Sequence, residues 1–279
     1  MTAKYDAQWV ARHYDEYGER EWHRLVADPL AEVKLHVHRH YLERFVPPCS
    51  HVLEIGAGAG RFTQILAELG ARIVVADLSA VQLELNRKHA DHLGYAHAVS
   101  ERRQIDMCNL SACADGEFDA VVCYGGPLSY VFERREQAVD EMMRVLRNGG
   151  VLLVSVMSLW GAVHQHLPGV LAVSPAENEQ IIRTGDLCPE TYAASTHHCH
   201  MFRSAELRDL LTGCGANVLA MSASNCLSTV WGEPLRELRA DEKRWRQLLE
   251  LEAKACRQPG CLDLGSHLIA VADKVSAAL

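Results

Sequence analysis

A short apolar run, His51-Val52-Leu53-Glu54-Ile55, passes directly into Gly56-Ala57-Gly58-Ala59-Gly60, and few folds accommodate that junction. Bounded by Ser50 and Gly56, the run predicts a buried strand. Phe62, Ile65, Leu66 and Leu69 then form one helical stripe that ends at Gly70, and Arg72-Ile73-Val74-Val75-Ala76 is a second apolar run. Strand, glycine turn, helix and strand make a βαβ unit, whose two strands run parallel because the helix carries the chain back across the sheet.

The alternation continues. Ser79 with Gln82 predicts a capping box for a helix running to Gly94, Phe118 to Cys123 is the next apolar strand, and a helix from about Glu133 to Leu146 leads into the strand Val151 to Val156. Ser204 to Gly213 reads as a helix, with strands at Asn217 to Met221 and Ser266 to Ala272. Ahead of all this, Asp28-Pro29 is an N-cap and first-turn pair for a helix that Pro47-Pro48 stops. The expected fold class is α/β, a doubly wound, mostly parallel sheet covered on both faces. It divides into an N-terminal helical cap (1–50), a core (51–156), a lid insertion (157–203) and a C-terminal part of the core (204–279) with a second insertion at about 222–265. Insertions of that length usually cover or build a binding site.

Composition narrows the partners. Lys and Arg total 28 against 36 for Asp and Glu, a formal charge of −8, so no general basic field favours a polyphosphate and nucleic acid is not expected as a partner. The longest apolar runs fall far short of the roughly 20 residues of a membrane helix, and Met1-Thr2-Ala3-Lys4-Tyr5-Asp6 has no apolar signal core. A cytoplasmic monomer or homodimer, without membrane contact, is the expectation. The ten cysteines then read as reduced thiols, and no C-x-x-C is present; Cys108/Cys113 and Cys256/Cys261 are each five apart, so no metal is expected.

Glycines where a strand turns into a helix let a ligand lie against the backbone at the carboxyl end of the sheet. Asp77, 21 residues after Gly56 and at the end of the next strand, is placed to accept hydrogen bonds from a ribose. That much also fits a nicotinamide enzyme. Three details favour another adenosine cofactor: the G-x-G-x-G spacing, the acid Glu54 two residues before the first glycine, and Ile105-Asp106-Met107, whose acid can accept from an adenine amino group. Cys123 and Tyr124 end a strand that faces the same crevice.

With these motifs in order, the chain resembles the class I S-adenosylmethionine-dependent methyltransferases. Leu53 to Gly60 looks like their glycine motif, Val75-Ala76-Asp77-Leu78-Ser79 like the ribose-binding motif, and Gln104-Ile105-Asp106-Met107 like the adenine-contacting one. Phe118 to Gly126 looks like the strand ending beside the methionine moiety, and Arg144-Val145-Leu146-Arg147-Asn148-Gly149-Gly150 like the family's closing turn, with Asn148 in place of a proline. The resemblance implies a seven-stranded Rossmann-like sheet whose last strand is antiparallel. It also implies S-adenosylmethionine as cofactor, held by Glu54, Gly56, Ala57, Gly58, Gly60, Asp77, Leu78, Asp106, Met107, Cys123 and Tyr124. The expected reaction is methyl transfer to a nitrogen or oxygen, less readily a carbon, of a small-molecule acceptor. The rival readings are a nicotinamide-dependent oxidoreductase and a non-catalytic S-adenosylmethionine-binding protein.

A proton must leave an amine or phenol acceptor, and histidine suits that task near neutral pH. The lid holds five of the fifteen histidines, and His164, His166, His198 and His200, with Tyr17 from the N-terminal cap, are the catalytic candidates. Tyr14 and Trp22 join Tyr17 as aromatics placed to close over the cofactor. His36 and His40 share a helix face but read as a solvated edge, and the stretch Val37-His38-Arg39-His40 is too short for a basic patch.

Overall fold

The computed structural model describes residues 3–274. The apolar runs become β1 (His51–Ile55), β2 (Arg72–Asp77), β3 (Val99–Gln104), β4 (Phe118–Cys123) and β5 (Leu146–Met157). Two-residue strands β6 (Asp186–Leu187) and β7 (Cys199–His200) form a separate ribbon, and β8 (Ala216–Ala223) and β9 (His267–Lys274) complete the main sheet. Its order is β3-β2-β1-β4-β5-β9-β8, with β1 to β5 parallel and β9 antiparallel to both its neighbours. The α/β reading holds, including the antiparallel last strand. β5 starts earlier than the apolar pattern indicates, because Leu146 already pairs with Phe118 before the bulge that carries Gly149 at φ 68°.

Alternation along each strand feeds two cores. Leu53, Val74, Val121 and Leu152 pack on one face against α6 (Arg135–Val145) and α10 (Ser204–Gly213). Val52, Ile73, Val122 and Leu153 pack on the other against α3 (Pro29–Phe45) and α4 (Arg61–Glu68). Each fully buried Leu, Ile or Val contributes about 1.5 to 3 kcal/mol, so burial on both faces secures the sheet. The strand order reverses between β2-β1 and β4-β5, which opens a crevice beyond the carboxyl ends of β1 and β4.

The cap closes over that crevice, the first insertion packs beside it, and the second packs against α3. The cap consists of α1 (Ala7–Tyr17), α2 (Arg20–Arg24) and α3, the last capped by the Asp28 carboxylate accepting from Ala31 N–H at 2.9 Å. Ser79 caps α5 (Ala80–Leu93), but the predicted capping box is only half formed. The Gln82 amide instead donates to the carbonyls of Tyr14 and Gly18, tying α1 to α5. The first insertion contributes α7 (Leu159–Gln165), α8 (Leu167–Ala172), α9 (Pro175–Thr184) and the β6-β7 ribbon; the second contributes α11 (Glu233–Arg239) and α12 (Glu242–Ala255). No helix among the described residues is long and apolar enough to cross a membrane.

Candidate active site

The end of β1 and the start of α4 are bridged by a loop whose first two N–H groups, Gly56 and Ala57, donate to the Ala76 carbonyl at the end of β2. Gly58, at φ 53°, donates its N–H to Asp77 Oδ2 at 2.9 Å, and Ser79 N–H reaches Asp77 Oδ1 at 2.8 Å. Each carboxylate oxygen keeps a further lone pair for a ligand hydroxyl. Burial pushes the Asp77 carboxyl up to about 6. Asp77, Leu78, Gly56, Ala57 and Gly58 line one cleft with Ile105, Met107 and Tyr124. The cap supplies the roof: Tyr5, Tyr14 and the pair Glu21 and Arg24, whose guanidinium makes two hydrogen bonds to the carboxylate at 2.8 and 2.7 Å. The Tyr14 and Tyr130 hydroxyls meet at 3.0 Å beneath it.

The glycines serve the protein as much as a ligand. A Cβ on Gly56 would lie 2.3 Å from Pro127, so that position is closed by the loop after β4; on Gly58 it would meet the Glu21 side chain at 3.0 Å, inside the cleft.

Four residues expected around the cofactor lie elsewhere. Glu54 alternates onto the α4 side of β1, is 2% exposed and accepts from Thr63 Oγ1 at 2.6 Å. Gly60 packs beneath Asn86 and Tyr95. Asp106 uses Oδ1 to accept Cys108 N–H at 2.8 Å and shapes its turn, and Cys123 is buried in the core under the sheet end. Strand alternation is the physical reason for Glu54 and Cys123: each neighbours a cleft residue in sequence and therefore points to the opposite face.

Burial raises the Glu54 carboxyl to about 8, and its Oε1 has no partner. The folded state therefore holds this proton more tightly than the unfolded chain, so Glu54 costs stability progressively as pH rises from the ordinary carboxylate range to about 8. Glu54→Gln removes that cost and keeps an acceptor for Thr63. We expect the variant to be more stable than the parent by about 1 to 3 kcal/mol at pH 8.5, with the gap closing toward pH 5, as read by denaturant melts across that range. A gap independent of pH would show that Glu54 is ionised throughout.

The proposed catalytic residues are also dispersed. His200 is buried, with Nδ1 on Asp186 at 2.7 Å and Nε2 on Glu206 at 2.8 Å. Burial opposes its charged form, but the two carboxylates outweigh this and raise its pKa, so His200 ties the ribbon to α10. The His198 ring lies tilted against Trp9, with ring centres 4.7 Å apart, beside a second hollow that Tyr130 separates from the cleft. His164 contacts the Leu264 carbonyl, His166 is exposed, and Tyr17 lies under the Arg20 guanidinium. Trp22 is sandwiched between Arg61 and His89 rather than lining the cleft.

A second chamber, about 220 Å³ in volume, meets the cleft at Arg24, Leu25, Phe62 and Gly125. Lys34, His38 and His267 project into it. His38 Nδ1 lies 2.8 Å from the Lys34 carbonyl, which accepts only from an N–H, so Nε2 carries the lone pair. That Nε2 is buried without a partner, as is the hydroxyl of Tyr124, whose ring meets His38 edge-on at 4.9 Å. Burial, followed by the charges of Arg24 and Lys34, holds His38 down at about 4, and His267 is likewise depressed by burial. Lys34, at the chamber wall, is lowered to about 8 by burial and bonds Gln165 at 3.1 Å. The i,i+4 spacing of Lys34 and His38, one turn apart on a helix whose apolar stripe faces the sheet, is the sequence signal for this pair.

A sheet crevice lined by the acid Asp77 at the end of β2, a glycine loop and the apolar Leu78, Ile105 and Met107 has the shape and chemistry to take an adenosyl cofactor. Residues 53–154 match the family described as Methyltransferase domain. The demethylmenaquinone methyltransferase of Clavibacter sepedonicus is 34% identical over 38% of this chain and 41% of its own length. The tRNA 5-carboxymethoxyuridine methyltransferase of Escherichia coli K12 is 22% identical over 94% of this chain and 96% of its own. Among solved structures, a complex of the Haloferax volcanii Trm112 methyltransferase activator with a methyltransferase matches with a TM-score of 0.64 at 16% identity, covering 97% of this chain and 99% of that one, which shows the shared fold. Residues 53–154 are thus a methyltransferase domain of the S-adenosylmethionine-dependent kind, and the cofactor of that family is the one the cleft fits. The nicotinamide and non-catalytic readings fall with that.

The partner expectations need correction. A relative aligned along almost the whole chain acts on tRNA, and a structural neighbour is bound to a protein activator, so exclusion of nucleic acid and restriction to a small-molecule acceptor and a lone chain or homodimer do not stand. Net charge sums over the whole surface and says nothing about one binding face.

Proposed function

We propose that this enzyme transfers a methyl group to an oxygen or nitrogen of an acceptor seated in the chamber beside Gly125, with His38 accepting the proton that the acceptor gives up. The observation that supports this reading is the unpartnered Nε2 of His38, a residue that lines a space continuous with the cofactor cleft. S-adenosylmethionine, when bound, supplies an electrophilic methyl on a sulfonium. Asp77 binds the ribose hydroxyls, and the Ile105, Met107 and Leu78 side chains hold the base between them. Tyr14, Glu21 and Arg24 exclude water from above. His38 is neutral at physiological pH and takes the acceptor proton at Nε2, while Nδ1–H stays on the Lys34 carbonyl. Lys34 and Arg24 lower the cost of the negative charge that develops on the acceptor. Alignment of this kind lowers a barrier by roughly 7 to 11 kcal/mol.

The reacting group arrives free or carried on RNA, and one assay separates the two. Labelled S-adenosylmethionine is incubated with the enzyme and either a small-metabolite extract or total tRNA. Label in one pool, lost in His38→Ala, supports the reading; label transferred equally well by His38→Ala removes His38 from the reaction.

A further inference from the structure

Cys226, Glu252 and Cys256 converge, with Cys261 packed beside them, although no pair of these residues has a zinc-knuckle spacing. Cys226 follows β8, Glu252 and Cys256 stand one turn apart at the end of α12, and Cys261 lies in the 3-10 turn Pro259–Leu264 that leads into β9. The Sγ atoms of Cys226 and Cys256 are 3.7 Å apart, and Cys256 Sγ is 3.6 Å from Glu252 Oε2. One donor atom from each of Cys226, Glu252 and Cys256 lies within 4.8 Å of the others, and all three residues are buried. The half-buried Cys261 packs against the same cluster as Cys226 and Cys256.

These separations match a metal's coordination shell. Ligands at about 2.3 Å (sulfur) and about 2.0 to 2.2 Å (oxygen) around a tetrahedral ion leave sulfurs about 3.7 Å apart and sulfur and oxygen about 3.5 Å apart. A thiol hydrogen bond explains one such edge, but not two thiols and a carboxylate all within 4.8 Å of one another. The carboxylate is also oriented as a ligand would need. Glu252 accepts from the backbone N–H groups of Cys226, Leu227 and Ser228 at 3.0, 3.2 and 2.7 Å and from the Ser228 hydroxyl. Ligating carboxylates are held by such outer hydrogen bonds, which here also offset the anionic charge of the set.

We propose that Cys226, Cys256, Cys261 and Glu252 form a structural site for one thiophilic divalent cation, with zinc the best match. Loading exchanges the three thiol protons, released to solvent, for one Zn²⁺, and the Cys256 proton that now reaches Glu252 is the first displaced. Four protein ligands leave no open position, so the ion carries no chemistry of its own. Its effect is mechanical. Asn225, adjoining Cys226, accepts from Ser266 N–H at 3.2 Å, and Ser266 precedes His267 in the wall of the acceptor chamber. A cation here would clamp the second insertion onto that wall.

The test is metal content and cobalt spectroscopy on the full chain, purified from zinc-containing medium without a histidine tag or chelator. We expect one zinc per chain, and Co²⁺ replacing it gives the intense thiolate-to-cobalt charge-transfer band of tetrahedral thiolate sites. A strong chelator lowers Tm. Cys226→Ser and Cys256→Ser lose zinc and band, whereas Cys49→Ser, at an exposed cysteine elsewhere, keeps both. Should the two core variants fail to fold, Cys261→Ser at the half-buried position and the wild-type cobalt spectrum carry the decision. Metal-free protein that takes up neither ion overturns the proposal. So does a Cys226–Cys256 disulfide in unreduced protein, or zinc that survives the cysteine changes and leaves with His198→Ala.

Discussion

His38→Ala lowers kcat by a hundredfold or more while S-adenosylhomocysteine affinity stays near that of the parent. The expectation follows from position and protonation together. Loss of a general base typically costs about 10²- to 10⁴-fold, and His38 lines the acceptor chamber but not the cleft of the cofactor, so the loss belongs to kcat rather than to cofactor binding. His38→Gln, similar in bulk and still hydrogen-bonding, separates chemistry from packing: it should restore the melting temperature without restoring turnover. The pH profile adds a sign. With the imidazole held at about 4, its base form is fully present at neutral pH, so kcat should show no acid limb near the usual histidine value and should fall only as pH approaches that depressed range. Full turnover in both variants, or an acid limb at 6.5 that His38→Ala leaves in place, would move the base to His267 or to the acceptor itself.

Asp77→Ala should weaken S-adenosylhomocysteine at least tenfold. A hydrogen bond to a charged group is worth about 1.5 to 3 kcal/mol, and a tenfold change is about 1.4. The same substitution strips Gly58 N–H and Ser79 N–H of their acceptor, so the loop itself loosens. Burial places the Asp77 carboxyl at about 6, and only its ionised form accepts from every donor around it; wild-type affinity therefore falls as pH drops through that value. Calorimetry at pH 5 and 8 reads both effects. Equal affinity at the two values, together with unchanged binding in Asp77→Ala, would take the residue out of the site.

The cofactor side of this protein was legible because its determinants are local. A strand that ends in Gly56-Ala57-Gly58 and a neighbouring strand that ends in Asp77 are short-range patterns, and parallel pairing of β1 with β2 brings them together without any information from the rest of the chain. Misreadings within the same motifs arose from alternation: Glu54 and Cys123 are next to cleft residues in sequence and behind them in space.

The acceptor side was not legible, because its wall is assembled from segments that lie far apart in sequence. His38 belongs to a helix that precedes the sheet, Gly125 follows β4 and His267 opens β9; only packing of α3 across the sheet end makes them neighbours. The lid histidines drew attention by their density, yet His200 is committed to two carboxylates and His166 to solvent. The Cys226, Glu252 and Cys256 cluster shows the same limit, since the 26-position separation of the first two hides a contact that α12 creates by folding back on the end of β8. Sequence by itself determined the sheet, its cofactor and the family, all set by periodicity and by turns a few residues long. Tertiary structure alone decided which histidine has a free lone pair, because that depends on what every neighbouring element leaves unpaired.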